Sequence, residues 1–186
     1  IEPVLIDPAP WPLGRLLPQE AGEFARQRLE AAGIRFRPGS TATRVDHGAA
    51  GYRITLNTGE TLDTGLVLSA VGVQPRTQLA RAAGLLTSRG IATDRQLCTS
   101  DPHIHALGDC AEVAGLCLPY VQPILHAARA LAATLAGCPT RVVYPAMPVV
   151  VKTPACPIVV SPPALASRGQ WQIRASTTGL EARFTG

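Results

Sequence analysis

The chain has 186 residues, a length typical of one or two domains with a real core. Hydrophobic residues make up 46% and aromatic residues 4%, so the predicted core is aliphatic and rich in alanine, and no apolar run approaches the roughly 20 residues of a membrane span. The net charge of +4 comes from scattered cations without interleaved aromatics, which argues against nucleic-acid binding. Such a surface suits an acidic protein partner, although solubility explains it equally well.

The cysteines and histidines show no metal-ligating or redox pattern. Five cysteines, at positions 98, 110, 117, 138 and 156, include no Cys-x-x-Cys pair, which argues against a zinc site, a redox dithiol and a disulfide framework. Reduced, mostly buried thiols in a cytoplasmic protein are the expectation. His103 and His105 alternate along the chain without a third ligand, so we predict structural or surface roles for them and no metal site.

The N-terminal stretch reads as an α/β unit. Residues 4–6 are an apolar run ending in Asp7, which predicts a buried parallel strand with an acid at its carboxyl end. In dinucleotide-binding folds such an acid hydrogen-bonds the adenosine ribose, and the lack of a closely following Arg favours NAD over NADP. The alternative is a strand-end turn residue before proline. Helical spacing then predicts an amphipathic helix over 18–32, ended by Gly33 and followed by a strand at 34–36.

The middle of the chain changes from a meander to a second α/β pattern. Alternating segments and tight turns predict an antiparallel meander over 42–64. Residues 66–72 read as a buried strand, 76–83 as a short helix ended by Gly84, and 91–93 as the start of a new strand.

The Gly108-Asp109 pair follows an apolar run at 104–107 that predicts a strand. Glycine permits close backbone approach to a ligand, and a carboxylate at a strand end can hold a hydroxyl. The alternative is an ordinary Gly-Asp turn. An alanine-rich helix is predicted over 121–136, with Pro123 in its first turn. From residue 142 the chain becomes proline-rich and β-branched, which indicates a separate β-rich portion.

Several segments in order resemble the flavin-dependent pyridine-nucleotide oxidoreductases. These are residues 66–72 with Pro75, 90–94, 99–102 and 104–109. The segments 147–157 and 108–113, the latter followed by Tyr120-Val121, are similar to the rubredoxin–NAD reductase branch, which passes NADH electrons to the small iron protein rubredoxin. The implied fold class is α/β, a partial FAD/NAD(P)-binding fold with a partial β-rich interface domain. The implied parts are 1–74 from the NAD domain, 75–140 from the FAD domain and 141–186 from the interface domain.

The resemblance implies four FAD contacts. Asp109 would bind the ribityl chain, and Gly108 would let the backbone come close. Val121 would sit against the flavin ring at a helix N-terminus, whose partial positive charge stabilises a reduced flavin. Lys152 would contact the polar edge of the flavin; the alternative is an edge-strand charge.

For NADH, the resemblance implies that Asp7 binds the ribose and Gly72 lies beside the nucleotide. The implied activity is hydride transfer from NADH to FAD, then single-electron delivery to rubredoxin. Because the chemistry belongs to the flavin, no catalytic side chain is expected.

The sequence contains no G-x-G-x-x-G loop. Since the family uses one such loop for FAD and one for NAD, we expect an N-terminally truncated piece that starts near the second strand of the NAD domain. Alone, it is expected to be inactive and to hold FAD weakly, because the pyrophosphate has no helix-terminus cradle.

The sequence leaves two other functions open and disfavours a third. The first is a reductase of a flavorubredoxin-type nitric oxide system. The second is a non-catalytic nucleotide-binding or interaction module, if the natural chain starts here. A ferredoxin reductase for oxygenases is disfavoured, because such proteins carry an aromatic-rich segment where Val151-Lys152-Thr153-Pro154 stands.

Overall fold

The computed structural model describes residues 2–163 and 167–186, and every structural statement below refers to them. They divide into two compact units, residues 1–69 with 148–186, and Ala70–Met147. The first residue, where the expected start of the NAD-domain part falls, lies outside the described residues.

Eleven strands and three helices make up the described chain. In chain order they are β1 (Val4–Asp7), α1 (Gln19–Ala31), β2 (Arg35–Pro38), β3 (Ala42–Gly48), β4 (Gly51–Leu56), β5 (Thr61–Thr64), α2 (Gln78–Ala82), β6 (Ile91–Thr93), β7 (Ala111–Val113), α3 (Val121–Leu135), β8 (Val149–Val151), β9 (Ile158–Val160), β10 (Gln170–Ala175) and β11 (Leu180–Thr185).

The first unit opens with a βαβ arrangement. β1 and β2 pair in parallel with Leu5 opposite Phe36, and α1 connects them, so the predicted helix and parallel pairing are confirmed. Gly33, at φ +89°, follows the helix as predicted. The predicted burial of β1 was wrong: Val4 is 37% and Leu5 43% exposed, because β2 is the only strand paired with β1 in the described residues.

The meander prediction is confirmed. β3, β4 and β5 form an antiparallel three-stranded sheet, and Ile54 and Leu56 of the central strand are buried. Gly51 has φ +115°, and a Cβ there would approach the Thr64 carbonyl oxygen to 2.6 Å. The reversal between β3 and β4 therefore requires glycine.

The predicted buried strand over 66–72 was wrong. These residues form no strand, and Leu68 and Val71 are 85% and 93% exposed. A strand needs a partner for its backbone groups and cover for its side chains. Neither is present for this run in the part of the chain that the structure describes.

The second unit is built around a small alanine-rich core. β6 and β7 pair in parallel, and Ala127 and Ala130 of α3 pack in one cluster with Leu97 and Val142. Leu97 is fully buried in the left-handed backbone region, at φ +66°. It is the largest of the buried side chains of this cluster, and the partly buried Ile91, Leu107, Leu131 and Tyr144 pack against them.

The predicted strand at 104–107 was also wrong. The segment forms the return arm of a tight turn, with a single bridge between Cys98 and His105. Within the turn the Ile104 amide donates to the Asp101 carbonyl (3.1 Å), and beyond the bridge the Ala106 amide donates to the Leu97 carbonyl (3.0 Å). The local turn chemistry of the preceding Thr-Ser-Asp-Pro residues takes the hydrogen bonds that a longer ladder would use.

The C-terminal segments are β-rich as predicted. β8 pairs with β9, and β10 with β11, both antiparallel. The Trp171 and Phe184 rings meet edge to face on the β10–β11 hairpin, with centroids 5.3 Å apart. The Arg28 guanidinium of α1 donates to the Thr177 carbonyl at 3.2 Å, which ties the hairpin turn to that helix.

Candidate functional site

The Gly108-Asp109 turn is open on the side where a ligand would approach. Gly108 has φ +91°, and a Cβ built there meets no atom within 4 Å. Asp109 is exposed, and its carboxylate has no hydrogen-bond or ion-pair partner among residues 2–163 and 167–186. The turn closes through the Ala111 amide, which donates to the Gly108 carbonyl at 3.0 Å.

The strand after this turn is held by β6. The Ile91 amide donates to the Cys110 carbonyl at 2.8 Å, and the Gly90 amide donates to Oε2 of Glu112 at 2.9 Å. A Cβ on Gly90 would lie 2.8 Å from the same Cys110 oxygen. Glu112 is therefore a positioning residue behind the turn.

The start of α3 lies next to the turn. Tyr120 precedes the helix in an extended conformation and makes no side-chain cap, so the Val121 and Gln122 amides have no capping side chain. Val121 is 68% exposed. Gly108, Pro123 and Ile124 line the same small pocket, so the structure brings these two predicted segments together.

Tyr144 lines that pocket too and was missed from the sequence, because no motif marks it. Burial raises the pKa of its phenol. Burial, together with the Glu112 carboxylate, also raises the pKa of the Cys117 thiol.

Lys152 directly follows β8 and is exposed. In the described part of the chain it makes no ion pair, and the Thr153 amide next to it donates to the Val151 carbonyl at 3.0 Å. Lys152 belongs to the first unit, whereas Asp109 and Val121 belong to the second. Its contact with a flavin stays a prediction from the motif.

The two predicted NAD residues fall in different units. Asp7 is half-buried at the end of β1, and its Oδ1 accepts from the Ala9 amide at 2.8 Å, which is the turn geometry of the alternative reading. Its second carboxylate oxygen remains free for a ribose hydroxyl. Gly72 is exposed at φ +90°, with open space around it.

The described residues hold no cluster of three or more metal-ligating side chains, and all five cysteines are free. The expectation of mostly buried thiols was wrong, because only Cys156 is buried. None of the helices described here is long and apolar enough to cross a membrane.

Two family models match the chain. The pyridine nucleotide-disulphide oxidoreductase model covers residues 2–134, and the rubredoxin binding C-terminal domain model covers residues 141–186.

Two curated relatives illustrate the similarity. The rubredoxin-NAD(+) reductase of Alcanivorax borkumensis is 49% identical over 181 residues, which are 97% of this chain and 47% of that protein. The nitric oxide reductase FlRd-NAD(+) reductase of Aeromonas salmonicida is 42% identical over 182 residues, again 97% of this chain and 47% of the relative. The chain thus spans about half the length of the curated relatives it matches.

A solved structure supports the fold. The ferredoxin reductase from Rhodopseudomonas palustris superposes with a TM-score of 0.86 at 32% identity, covering 100% of this chain and 48% of that one. The family model covers well over half of the sequence, and the fold agrees with it. The chain belongs to the pyridine nucleotide-disulphide oxidoreductase family.

Proposed function

We propose that the protein passes electrons from NADH through FAD to rubredoxin. The observation that carries the proposal is the pairing of two matches in one chain, an oxidoreductase model followed by a rubredoxin-binding model. The overall reaction takes one NADH and two oxidised rubredoxins to NAD⁺, two reduced rubredoxins and one proton. The flavin supplies the conversion of one hydride transfer into two single-electron transfers.

The residues of the Gly108 turn fit the ribityl part of FAD. The turn is open where a Cβ would stand, and the Asp109 carboxylate is free to accept a hydrogen bond from a ligand hydroxyl. We therefore assign Gly108 and Asp109 to this part of the cofactor.

The first turn of α3 fits the polar edge of the flavin ring. Its uncapped amides point out of the helix end, where the backbone dipoles place a partial positive charge of about half a unit. Val121 would pack against the ring, and its amide would stabilise negative charge on the pyrimidine side. From the motif alone, Lys152 is assigned separately to a contact with the polar edge of the flavin.

For NADH, we assign Asp7 to the ribose and Gly72 to the nucleotide backbone. The free carboxylate oxygen of Asp7 and the open space at Gly72 support this assignment. We further propose that residues 1–74 belong to the NAD-binding domain, 75–140 to the FAD-binding domain and 141–186 to the interface domain. Because all five cysteines are free, we propose a cytoplasmic location.

A reductase of a flavorubredoxin-type nitric oxide system is the second candidate, favoured by the similarity to the Aeromonas salmonicida protein. The two candidates differ only in the acceptor. NADH-dependent cytochrome c reduction, measured with purified rubredoxin or with the rubredoxin domain of a flavorubredoxin, distinguishes them. Turnover with rubredoxin at the higher kcat/KM supports the first candidate, and no turnover with either carrier would reject both.

The site assignment is tested by flavin retention in the protein as its own gene encodes it. Gly108→Ala adds a methyl group in the ribityl space at φ +91°, and Asp109→Asn removes the acceptor charge. Gly115→Ala is the matched control, because Gly115 has φ +84° and equally open surroundings. We expect weaker FAD binding in the first two variants only. Equal losses in Gly108→Ala and Gly115→Ala would attribute the effect to backbone strain.

A further inference from the structure

The cations are spread along the chain, but the net positive charge is confined to residues 141–186, because these residues contain almost no acids. Residues 1–140 contain twelve Lys or Arg and twelve Asp or Glu, whereas residues 141–186 contain five cations and one acid. The whole net charge of +4 therefore belongs to the last 46 residues. This segregation is not visible in the overall composition.

The cations of the two parts also differ in pairing. Six ion pairs are found in residues 2–163 and 167–186, and all lie before residue 70. None includes the cations of the last 46 residues, which are Arg141, Lys152, Arg168, Arg174 and Arg183. Their charge is thus not neutralised within the described chain.

The β10–β11 hairpin presents two of these cations on one surface. Side chains alternate along each strand, and the half-buried set includes Trp171, Ile173 and Phe184. Arg174 and Arg183 belong to the exposed set. We call this exposed set the outer face of the hairpin: Gln170, Gln172, Arg174, Glu181, Arg183 and Thr185.

The register brings the two arginines close to each other. Gln172 lies opposite Arg183, and Arg174 lies opposite Glu181, so the arginines are diagonal neighbours. Glu181 is the one acid of this face and forms no ion pair with Arg174 within 4.0 Å in the described structure. The rest of the face consists of uncharged side chains that can donate and accept hydrogen bonds.

We propose that the outer face of the hairpin is the docking surface for an acidic electron-carrier protein. The proposal rests on the proposed function and adds to it the place of contact and the charge of the partner. Arginine is enriched at protein interfaces, and complementary charge acts mainly by steering the encounter. The face therefore governs the association rate of the carrier and its dependence on salt.

The test compares charge variants of the flavin-loaded protein. Arg174→Glu with Arg183→Glu reverses the two cations of the face. Arg15→Glu with Arg129→Glu changes the net charge equally at exposed positions that, like Arg174 and Arg183, form no ion pair in the described residues, and serves as the control. The carrier-dependent rate is divided by the NADH–ferricyanide rate of the same preparation, which corrects for flavin content and folding. It is measured at ionic strengths of about 0.01 M and about 0.3 M, where the Debye length falls from roughly 30 Å to below 10 Å.

At the lower ionic strength, we expect the double reversal to lower kcat/KM for the carrier by about tenfold and the control pair by less than about twofold. The wild-type rate should fall with salt, whereas the reversed variant should lose that dependence. Arg174→Gln with Arg183→Gln should give an intermediate rate, which a folding defect would not reproduce.

A reversed variant with the wild-type rate and salt dependence would overturn the docking proposal while leaving the proposed function intact. A loss that persists equally at high salt would overturn it too, because steering is then not the cause. Binding of the wild type to anionic vesicles or DNA through these arginines, with carrier reduction unaffected by the reversal, would assign the face to another polyanion. If the wild type reduces no carrier with NADH, both proposals fail.

Discussion

Replacing Leu97 should weaken the second unit and, through it, the proposed flavin site. Leu97 is fully buried, and the other buried members of its cluster are Ala and Val. The larger Ile91, Leu107, Leu131 and Tyr144 pack against the cluster from partly buried positions, so they can fill the gap left by Leu97→Ala only in part. The transfer term for three lost carbons is about 2.4 kcal/mol, and the cavity adds to it, giving about 3–5 kcal/mol. Leu97→Met keeps the volume and the backbone at φ +66°, and should cost less than about 1.5 kcal/mol.

The assay must report on this unit alone. Both tryptophans, Trp11 and Trp171, lie in the first unit, so tryptophan emission does not follow the second. Hydrogen exchange of the α3 amides, measured by mass spectrometry, reports on the second unit. In Leu97→Ala, the protection of α3 should fall by about two orders of magnitude, which corresponds to about 3 kcal/mol.

The same variant should also lose FAD more readily, because Ala111 and Ala127 of this cluster anchor the strand after the turn and the helix that begins at Val121. If the free energy of opening derived from α3 exchange falls by less than about 1 kcal/mol in Leu97→Ala, the view that this side chain supports the core is refuted. If Leu97→Ala retains FAD normally although the α3 amides lose protection, the stability of this core does not determine FAD binding.

Three smaller predictions follow from single residues. Gly22→Ala should destabilise the first unit by about 1–3 kcal/mol, because the Trp11 ring occupies the place of the new methyl group. Gly48→Ala is the control, since a methyl group there enters open space. Equal shifts of the thermal unfolding temperature in the two variants would contradict the expectation. Because the pKa of Cys117 is raised, its alkylation at pH 8 should be slower than that of a free cysteine and should accelerate on unfolding. The Tyr144 pKa is raised above 10.0, so its contribution to stability is complete below that pH and is lost as the pH rises through the folded value; Tyr144→Phe should flatten the alkaline limb of the unfolding curve.

The helices and the meander could be predicted because their signals are local. Helical spacing with a following glycine at 33 and 137 marks the ends of α1 and α3. That no strand forms at 66–72 or 104–107 could not be predicted in the same way, since an apolar run does not reveal whether a partner strand is present. The left-handed conformation of Leu97 has no sequence signal at all.

Some residues of the candidate site could be predicted from the sequence and others could not, again because the sequence shows only local patterns. The motif located Gly108 and Val121, and the structure places their segments beside one pocket. The role of Glu112 depends on a hydrogen bond to Gly90, a residue 22 positions earlier, which no local pattern contains. The charge segregation could be counted from the sequence, but the face that carries Arg174 and Arg183 required the strand register.

The exposed apolar run near residues 66–73 also bears on how the chain behaves in concentrated solution. It contains leucine and valine, no charge and no proline, and its backbone lies outside any sheet of the described structure. Such a segment is a template on which the same segment of another molecule can add as a strand. Because the run carries no charged gatekeeper of its own, colloidal stability during production depends on what covers it, and a lysine introduced at Leu68 would supply the missing repulsion.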